Sequence, residues 1–435
     1  MPELSNVLVL YDQNLEVRLC KNFVWDHISG RITRLEFAND NDYNLNFSSA
    51  LTNRVLIPAF VNGHTHIGDS CLADGATGLT LEQGFFRPNG FKYIELAKHS
   101  EQQLVDAMHD TMNYMLSTGT VMHWDFREQG INGLRLIRQA EKQSRGLKSI
   151  VLSQFDRIPF EEDIDNNEDL PDEWKFELEK LWNRNDDDAA DGFSESTMND
   201  LPDRTWITIR DMSYRCNNKL RAIHCLENDT YRSVSMARTG GRQSDLQKAF
   251  ELYDPDIIVH LTEATQADID VIIQQQNKTD RHDCRPRTFV VCPRANATLG
   301  LKLPPIHALL ASGINLMLGT DNVMLNQPNM LAEMDFAYRL CKSQSGDQTH
   351  DPKEILRMAT TINSYPTIYG KNEKGGIYEN GPADFIMLDF GATHLIRTKN
   401  LIATIVLRLD PRQILATVHR GHLVWGTLPS SPLAQ

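Results

Sequence analysis

Residues 55–66 read Val55-Leu56-Ile57-Pro58-Ala59-Phe60-Val61-Asn62-Gly63-His64-Thr65-His66. The apolar run 55–62 predicts a short strand, and directly after it stand two imidazoles two residues apart. Alternation along a strand puts residues i and i+2 on one face, so His64 and His66 can point at one centre. Alone the pair is weak, since 14 histidines in 435 residues give about 0.4 such pairs per chain by chance. Its weight depends on what surrounds it.

Seven more short segments rich in Val, Ile and Leu follow, at 120–126, 148–153, 206–210, 221–225, 256–260, 288–292 and 315–319. Most intervals between them carry helix start and stop signals. Ser100-Glu101-Gln102-Gln103 is a capping box opening a helix with Leu104, Met108, Met112 and Met115 on one face and Gly119 past its end. Ser244-Asp245-Leu246-Gln247 repeats the device, and Asp351-Pro352-Lys353-Glu354 sets an N-cap, a proline at the first helical position and an early glutamate. Short strand alternating with helix, eight times, predicts an α/β fold of the (β/α)8 TIM-barrel kind over 55–374. Residues 1–54 and 375–435 read instead as short strands with turns, at 6–10, 16–20, 31–37, 384–389, 416–418 and 422–425. They predict one small β-sandwich domain built from both termini.

Length fits one large domain with an appendage. At 41% hydrophobic and 23% charged residues, with 25 Gly and 18 Pro, the composition excludes disorder, collagen and coiled coil as the main architecture. There is no leader-like stretch at the N-terminus and no run of about 20 apolar residues, so a soluble, cytoplasmic chain is expected. Seven scattered cysteines without a C-x-x-C pair argue against a disulfide framework and a cysteine zinc site. The net charge of -14 is local, because segment 161–203 holds 17 acidic and 3 basic residues while the rest balances. A neutral remainder without a basic stripe excludes a nucleic-acid binder. The insert lies between the third and fourth predicted strands, with a helix at 172–183 dividing it. Residues 161–169 would then face the active-site end of the barrel and 185–203 the opposite rim, both as solvated loops.

The other candidate groups fall where barrel enzymes keep their chemistry. His224 closes the fifth predicted strand, His260 the sixth, and Asp321 follows Gly319-Thr320 at the end of the eighth, all at C-terminal strand ends. Three histidines and an aspartate suit Zn2+ or another divalent first-row ion with a position left for water. Each His taken singly is more often a hydrogen-bonded core or surface residue; four landing together at strand ends are not. Glu227, three residues beyond His224, can reach substrate, and a desolvated carboxyl there would exchange a proton near neutrality. His123 on the second strand reads best as a buried structural residue. The loop 69–92 after the first strand suits a lid, whose Phe85 and Phe86 could stack on a flat heterocycle or simply tether the loop. Arg127, Arg210 and Arg294 each follow a predicted strand end; one could bind an anionic substituent, and a rim salt bridge is the ordinary alternative for each.

The motifs from Leu56 to His66, His224-x-x-Glu227, His260, Cys292-Pro293-Arg294-Ala295-Asn296 and Gly319-Thr320-Asp321-Asn322 together resemble the amidohydrolase superfamily. They are most similar to its mononuclear branch of cytosine, guanine and S-adenosylhomocysteine deaminases and triazine hydrolases. Gly381-Pro382-Ala383-Asp384-Phe385 is similar to that branch's return into the terminal β-domain. His64-Thr65-His66-Ile67-Gly68-Asp69-Ser70 and the stretch from Thr320 to Asn326 resemble a mainly archaeal group of unknown substrate.

The resemblance implies one divalent metal, Zn2+ ahead of Fe2+, on His64, His66, His224 and Asp321. It implies catalytic roles for Glu227 as proton shuttle, for His260 as hydrogen-bond partner of the metal-bound hydroxide or substrate oxygen, and for Asp321 as acceptor of the water's proton. Phe86, Arg127, Arg210, Arg294 and Asn296 are the substrate-binding candidates. Binuclear relatives carry a carboxylated lysine at the end of the fourth strand, and the predicted strand 206–210 ends without one. The implied reaction is hydrolysis at a C–N bond of a small heterocycle, with ammonia lost from a purine, pyrimidine or pterin-like ring. Loss of another leaving group or cleavage of a cyclic amide is the alternative, and an inactive scaffold the remote one. The partner expected is a small heterocyclic substrate, not nucleic acid or membrane, with a homodimer left open. The zinc-deaminase signature H-x-E with P-C-x-x-C, which belongs to a different fold, is absent.

Overall fold

A computed structural model describes residues 1–39, 53–160, 165, 167–183, 188–276, 278, 285–346 and 350–429. In chain order its strands are β1 Glu3–Tyr11, β2 Glu16–Asp26, β3 Arg31–Phe37, β4 Arg54–Pro58, β5 Phe60–His66, β6 Thr120–Arg127, β7 Lys148–Ser153, β8 Gly192–Glu195, β9 Leu220–Cys225, β10 Ile257–His260, β11 Thr288–Val291, β12 Leu316–Leu318, β13 Asp321–Asn322, β14 Phe385–Asp389, β15 Ile414–His419 and β16 His422–Gly426. Nine of them form an all-parallel sheet in the order β12-β11-β10-β9-β8-β7-β6-β5-β13. The strands at its two ends, β12 and β13, are consecutive pieces of one segment, parted by Gly319-Thr320. Apolar side chains of these strands and of the helices between them make one large core. Among the described residues, no helix is long and apolar enough to cross a membrane.

The other seven strands form a second sheet in the order β16-β15-β14-β4-β1-β2-β3. The predicted run 55–62 is two strands. Pro58 has no N–H to continue a ladder, so β4 stops there, between β14 and β1, and the chain passes through Ala59 into β5. Because β4 joins N-terminal to C-terminal strands in one continuous ladder, the ends make a single sheet, which corrects the expected sandwich. Phe23, Trp25 and Phe385 pack edge to face on it, with Phe385 centroid separations of 5.1 and 5.2 Å.

The fourth predicted strand is also corrected. Residues 206–210 lie in the helix Asp203–Arg215, whose Trp206, Ile209 and Met212 form a buried stripe at a spacing of three. The fourth strand is β8, Gly-Phe-Ser-Glu, buried along its length between β7 and β9. Gly192 is required there, since a Cβ would lie 2.3 Å from the Leu220 carbonyl oxygen. The insert is therefore placed differently from the expectation. The helix Asp172–Trp182 forms, and 188–191 lead into β8. Residues 196–203, however, leave its C-terminal end on the same side as His64 and His66, not on the opposite rim. Residues 161–164, 166 and 184–187 lie outside the described residues.

The three helix starts form as read. Ser100 and Gln103 cap the helix Glu101–Ser117 reciprocally, Ser244 and Gln247 do the same for Asp245–Lys248, and Asp351 caps Pro352–Met358.

Candidate active site

Near the C-terminal ends of β5, β9 and β10 and at the first residue of β13, the side chains of His64, His66, His224, His260 and Asp321 converge. The coordinating atoms of His64, His66 and His224 all lie within 4.8 Å of one another, as do those of His64, His260 and Asp321. Asp321 Oδ1 is 3.2 Å from His64 Nε2 and 3.7 Å from His66 Nε2. Two contacts force this closeness. Asn62 Nδ2 donates to Thr320 Oγ1 at 2.7 Å, and Asn62 Oδ1 accepts from the Thr320 N–H at 3.0 Å, fastening β5 to the β12–β13 segment. Gly319 then lets the backbones touch, because a Cβ would stand 2.6 Å from His64 Cβ.

The backbone is strained around this centre. Leu226, His260, Leu261 and Asp321 have φ of 53°, 81°, 57° and 65°, a left-handed conformation that non-glycine residues hold only where packing enforces it.

Hydrogen bonds fix how the rings present themselves. His66 Nδ1 lies 3.0 Å from Glu128 Oε1, and His224 Nδ1 lies 3.2 Å from the Glu195 carbonyl oxygen. With Nδ1–H donated outward, each ring turns a bare Nε2 lone pair to the centre. His64 is fully buried, and neither ring nitrogen has a hydrogen-bond partner among the described residues. Burial, reinforced by the Lys92 ammonium, holds His64 and His66 well below the usual imidazole range, and burial pushes His224 down to about 3. The three rings are thus neutral and in the form that ligates a metal. An orphaned buried imidazole beside two aimed lone pairs and a carboxylate fits a divalent ion.

His260 differs. In this amide orientation Asn296 Nδ2 donates to His260 Nδ1 at 3.2 Å, so the His260 proton sits on Nε2, 3.5 Å from Glu227 Oε1. Glu227 is buried, and desolvation, with the charges of Asp321 and Asp245 behind it, raises its carboxyl well above the ordinary value. Its loop is held by the Leu226 N–H on Asp245 Oδ2 at 2.7 Å and by Thr262 Oγ1 on the Leu226 carbonyl at 2.8 Å.

The cavity over this cluster is lined on one side by His66, His224, Glu227, His260, Asp321 and Asn322. Leu81, Phe85, Lys92 and Tyr93 of the loop after β5 line another side, and Gln154, Ser194, Glu195, Ser196 and Tyr231 complete it with Phe126. Phe85 faces this space, whereas Phe86 stacks on Tyr231 at 5.6 Å. The three arginines are not brought to it. Arg127 is buried, bonded to Glu128, and fills the space Gly68 leaves open. Arg210 lies on the helix Asp203–Arg215, bonded to Asp211 and the Leu252 carbonyl, because the segment carrying it is not a strand. Arg294 pairs with Glu333 and the Gln327 carbonyl. Asn296 stands behind His260. His123 is buried between Thr65 and Ser149 at 2.9 and 2.8 Å.

Several groups at the site escape a reading of sequence. Glu128 anchors His66 and pairs with the buried Lys92, whose ammonium desolvation lowers to about 8. Asp69 ties that lysine to β13, accepting from Asn322 Nδ2 at 2.7 Å and the Met324 N–H at 3.1 Å. Glu195, at the true end of the fourth strand, is buried against Arg87, which also reaches Asp200. Single charged residues in short elements and connections give no periodic signal, and only the buried partners across the fold mark them.

The chain matches the amidohydrolase family over residues 55–424 and belongs to it. It is a hydrolase acting on carbon–nitrogen bonds. A protein of Methanothermobacter thermautotrophicus bearing an aminohydrolase name is 30% identical over 372 residues, covering 85% of this chain and 86% of that one. The 5-methylthioadenosine/S-adenosylhomocysteine deaminase of Caldanaerobacter subterraneus subsp. tengcongensis is 24% identical, over 85% of this chain and 81% of its own. The crystal structure of an adenosine deaminase from Xanthomonas campestris with bound zinc superposes with a TM-score of 0.77 at 20% identity, covering 97% of this chain and 93% of that one. This last likeness concerns the fold.

Proposed function

We propose that the chain is a hydrolytic deaminase of a small amino-heterocycle, working with one divalent ion on His64, His66, His224 and Asp321, zinc before iron. The nine parallel strands act in this reading as a closed eight-position barrel, with Leu316–Leu318 and Asp321–Asn322 as two halves of the eighth. The observation that carries the proposal is a cluster of neutral imidazoles, His64 without a hydrogen-bond partner on either ring nitrogen among the described residues and His66 and His224 anchored through Nδ1, set beside the buried Glu227, whose carboxyl desolvation raises well above its ordinary value. The fourth strand ends in Glu195 rather than a lysine, which favours a single ion, as the misplaced strand did.

A divalent ion bound here would bring the pKa of a coordinated water from 15.7 toward about 7 and make it nucleophilic at neutrality. Asp321 accepts the proton of the attacking water on a carboxylate oxygen. Glu227, protonated by virtue of its burial, donates to the ring nitrogen beside the attacked carbon, and His260 Nε2–H steadies the oxygen that has been added. Collapse of the tetrahedral carbon breaks the exocyclic C–N bond: Asp321 passes the proton it took to the leaving nitrogen, the added hydroxyl returns its proton to Glu227, and ammonia departs while the ring carbon keeps the oxygen as a carbonyl. Phe85, Tyr93, Tyr231 and Phe126 offer flat or apolar contacts to a ring. The same residues would serve loss of another leaving group or opening of a cyclic amide, which is the second reading. Ammonia measured over a panel of aminated purines, pyrimidines and pterins tests the proposal; ring opening or another leaving group without ammonia would replace it with the second reading.

A further inference from the structure

A second group of metal-ligating side chains lies in the outer helical layer, and none of its members lines the catalytic cavity. His307 sits in the first turn of the helix Ile306–Ala311, Cys341 in the last part of the helix Met330–Ser345, and His350 directly before the cap of the helix Pro352–Met358. One coordinating atom from each, two imidazole nitrogens and a thiol sulfur, lies within 4.8 Å of the others. The rings of His307 and His350 meet edge to face with centroids 4.6 Å apart. Cys341 is completely buried. His307 Nδ1 and His350 Nε2 are buried nitrogens with no hydrogen-bond partner among the described residues. Protein interiors seldom leave such atoms unpaired without a reason.

The local architecture holds this cluster in place. Gln344, three residues beyond Cys341, accepts the His307 N–H on Oε1 at 3.1 Å and donates from Nε2 to the Pro304 carbonyl at 2.8 Å. That clamp sets the start of one helix beside the end of the other. Asp351 caps the third helix from its side chain, accepting from the Lys353 N–H at 2.9 Å, and so fixes the turn that carries His350.

We propose that His307, Cys341 and His350 form a second metal site, holding a thiophilic first-row ion such as Zn2+ between three helices and leaving a fourth position for water. The donor set selects the ion: two imidazoles and one thiolate suit zinc and exclude the oxygen-seeking Ca2+ and Mg2+. A tetrahedral site needs ligand atoms about 3.3–3.8 Å apart, so from separations of at most 4.8 Å closure asks for a contraction of at most about 1.5 Å. On binding, the S–H bond of Cys341 breaks, its proton passes to solvent, and the sulfur lone pair enters the metal bond. The site is structural in kind, tying the end of Met330–Ser345 to its neighbours.

Cobalt is the probe, since a thiolate ligand gives Co2+ a charge-transfer absorption in the near ultraviolet and the catalytic cluster contains no sulfur. The full chain, stripped of metal and titrated with Co2+, should develop that band and take up one equivalent more than either Cys341→Ser or His350→Gln. The band should vanish in Cys341→Ser and persist in His224→Ala, which separates this site from the catalytic one. Added Zn2+ should raise the unfolding temperature of wild type more than that of His350→Gln, a half-buried position whose replacement keeps the fold. An absorption band and metal uptake equal in wild type and both variants would overturn the proposal.

Discussion

Glu128 shows how much of the site rests on residues one step behind the ligands. Its carboxylate accepts the Nδ1–H of His66, takes the Lys92 ammonium on the same oxygen, and meets Arg127 on the other. Glu128→Gln should leave the fold intact and weaken metal binding by about 10–100-fold, read by competition with a chelating dye. Undiminished affinity would mean that His66 is oriented by packing alone. Glu227 acts on the proton and not on the ion. Glu227→Gln should lower kcat by about 10² or more while KM moves little. Single-turnover rates on whichever amino-heterocycle the ammonia assay selects would check it, and retained turnover would hand the proton to His260. At this scale the sequence was informative wherever chemistry and periodicity coincided. His64, His66, His224, His260, Glu227 and Asp321 each close a strand or follow one, and they meet. Arg127, Arg210 and Arg294 had only the position without a partner to aim them, and the fold spends each on a carboxylate or carbonyl elsewhere.

Among elements, the fourth strand separates what patterning reveals from what it hides. Trp206, Ile207, Thr208 and Ile209 have strand-like composition, yet their burial repeats every three residues and Pro202 stands before the helix they open. The true strand contains a glycine and a glutamate, residues of poor strand propensity, tolerated because Gly192 admits the Leu220 carbonyl and Glu195 finds Arg87. Tertiary contacts chosen far along the chain decided both. Gly319 carries the complementary lesson, since its need is set by His64 across the sheet. Gly319→Ala should cost about 1–3 kcal/mol of stability through overpacking and lower metal content as His64 is pushed aside; calorimetry and elemental analysis measure both. A wild-type Tm with full metal would show that β5 and β12 yield more easily than these contacts suggest. The acidic insert can be shortened only within limits. Arg138 donates to the Ala189 carbonyl, and Ala190 is fully buried, so removing 185–190 should destabilise the fold. Removing 185–187 alone should leave turnover within a few-fold; a collapse of kcat in that shorter deletion, with an unchanged Tm, would contradict this placement.

Taken whole, the molecule is a parallel sheet whose strand ends gather one reactive cluster, braced by a second sheet that both termini build. The break at Pro58 serves both, since β4 completes the terminal sheet and β5, one residue later, begins the sheet that presents His64 and His66. The alternation of strands and helices was legible because it recurs; the merging of the terminal strands into one sheet was not, because it depends on β4 pairing with β1 and β14 across more than three hundred residues of chain. The central claim is that four residues hold a metal and a fifth moves a proton. It is tested most directly by elemental analysis of Cys341→Ser alone and combined with His224→Ala or Glu227→Gln, so that only the catalytic cluster is counted. The account expects about one divalent ion per chain in Cys341→Ser and in its combination with Glu227→Gln, and a marked loss in the combination with His224→Ala. Glu227→Gln losing its metal as readily as His224→Ala, or two ions per chain in that background, would contradict it.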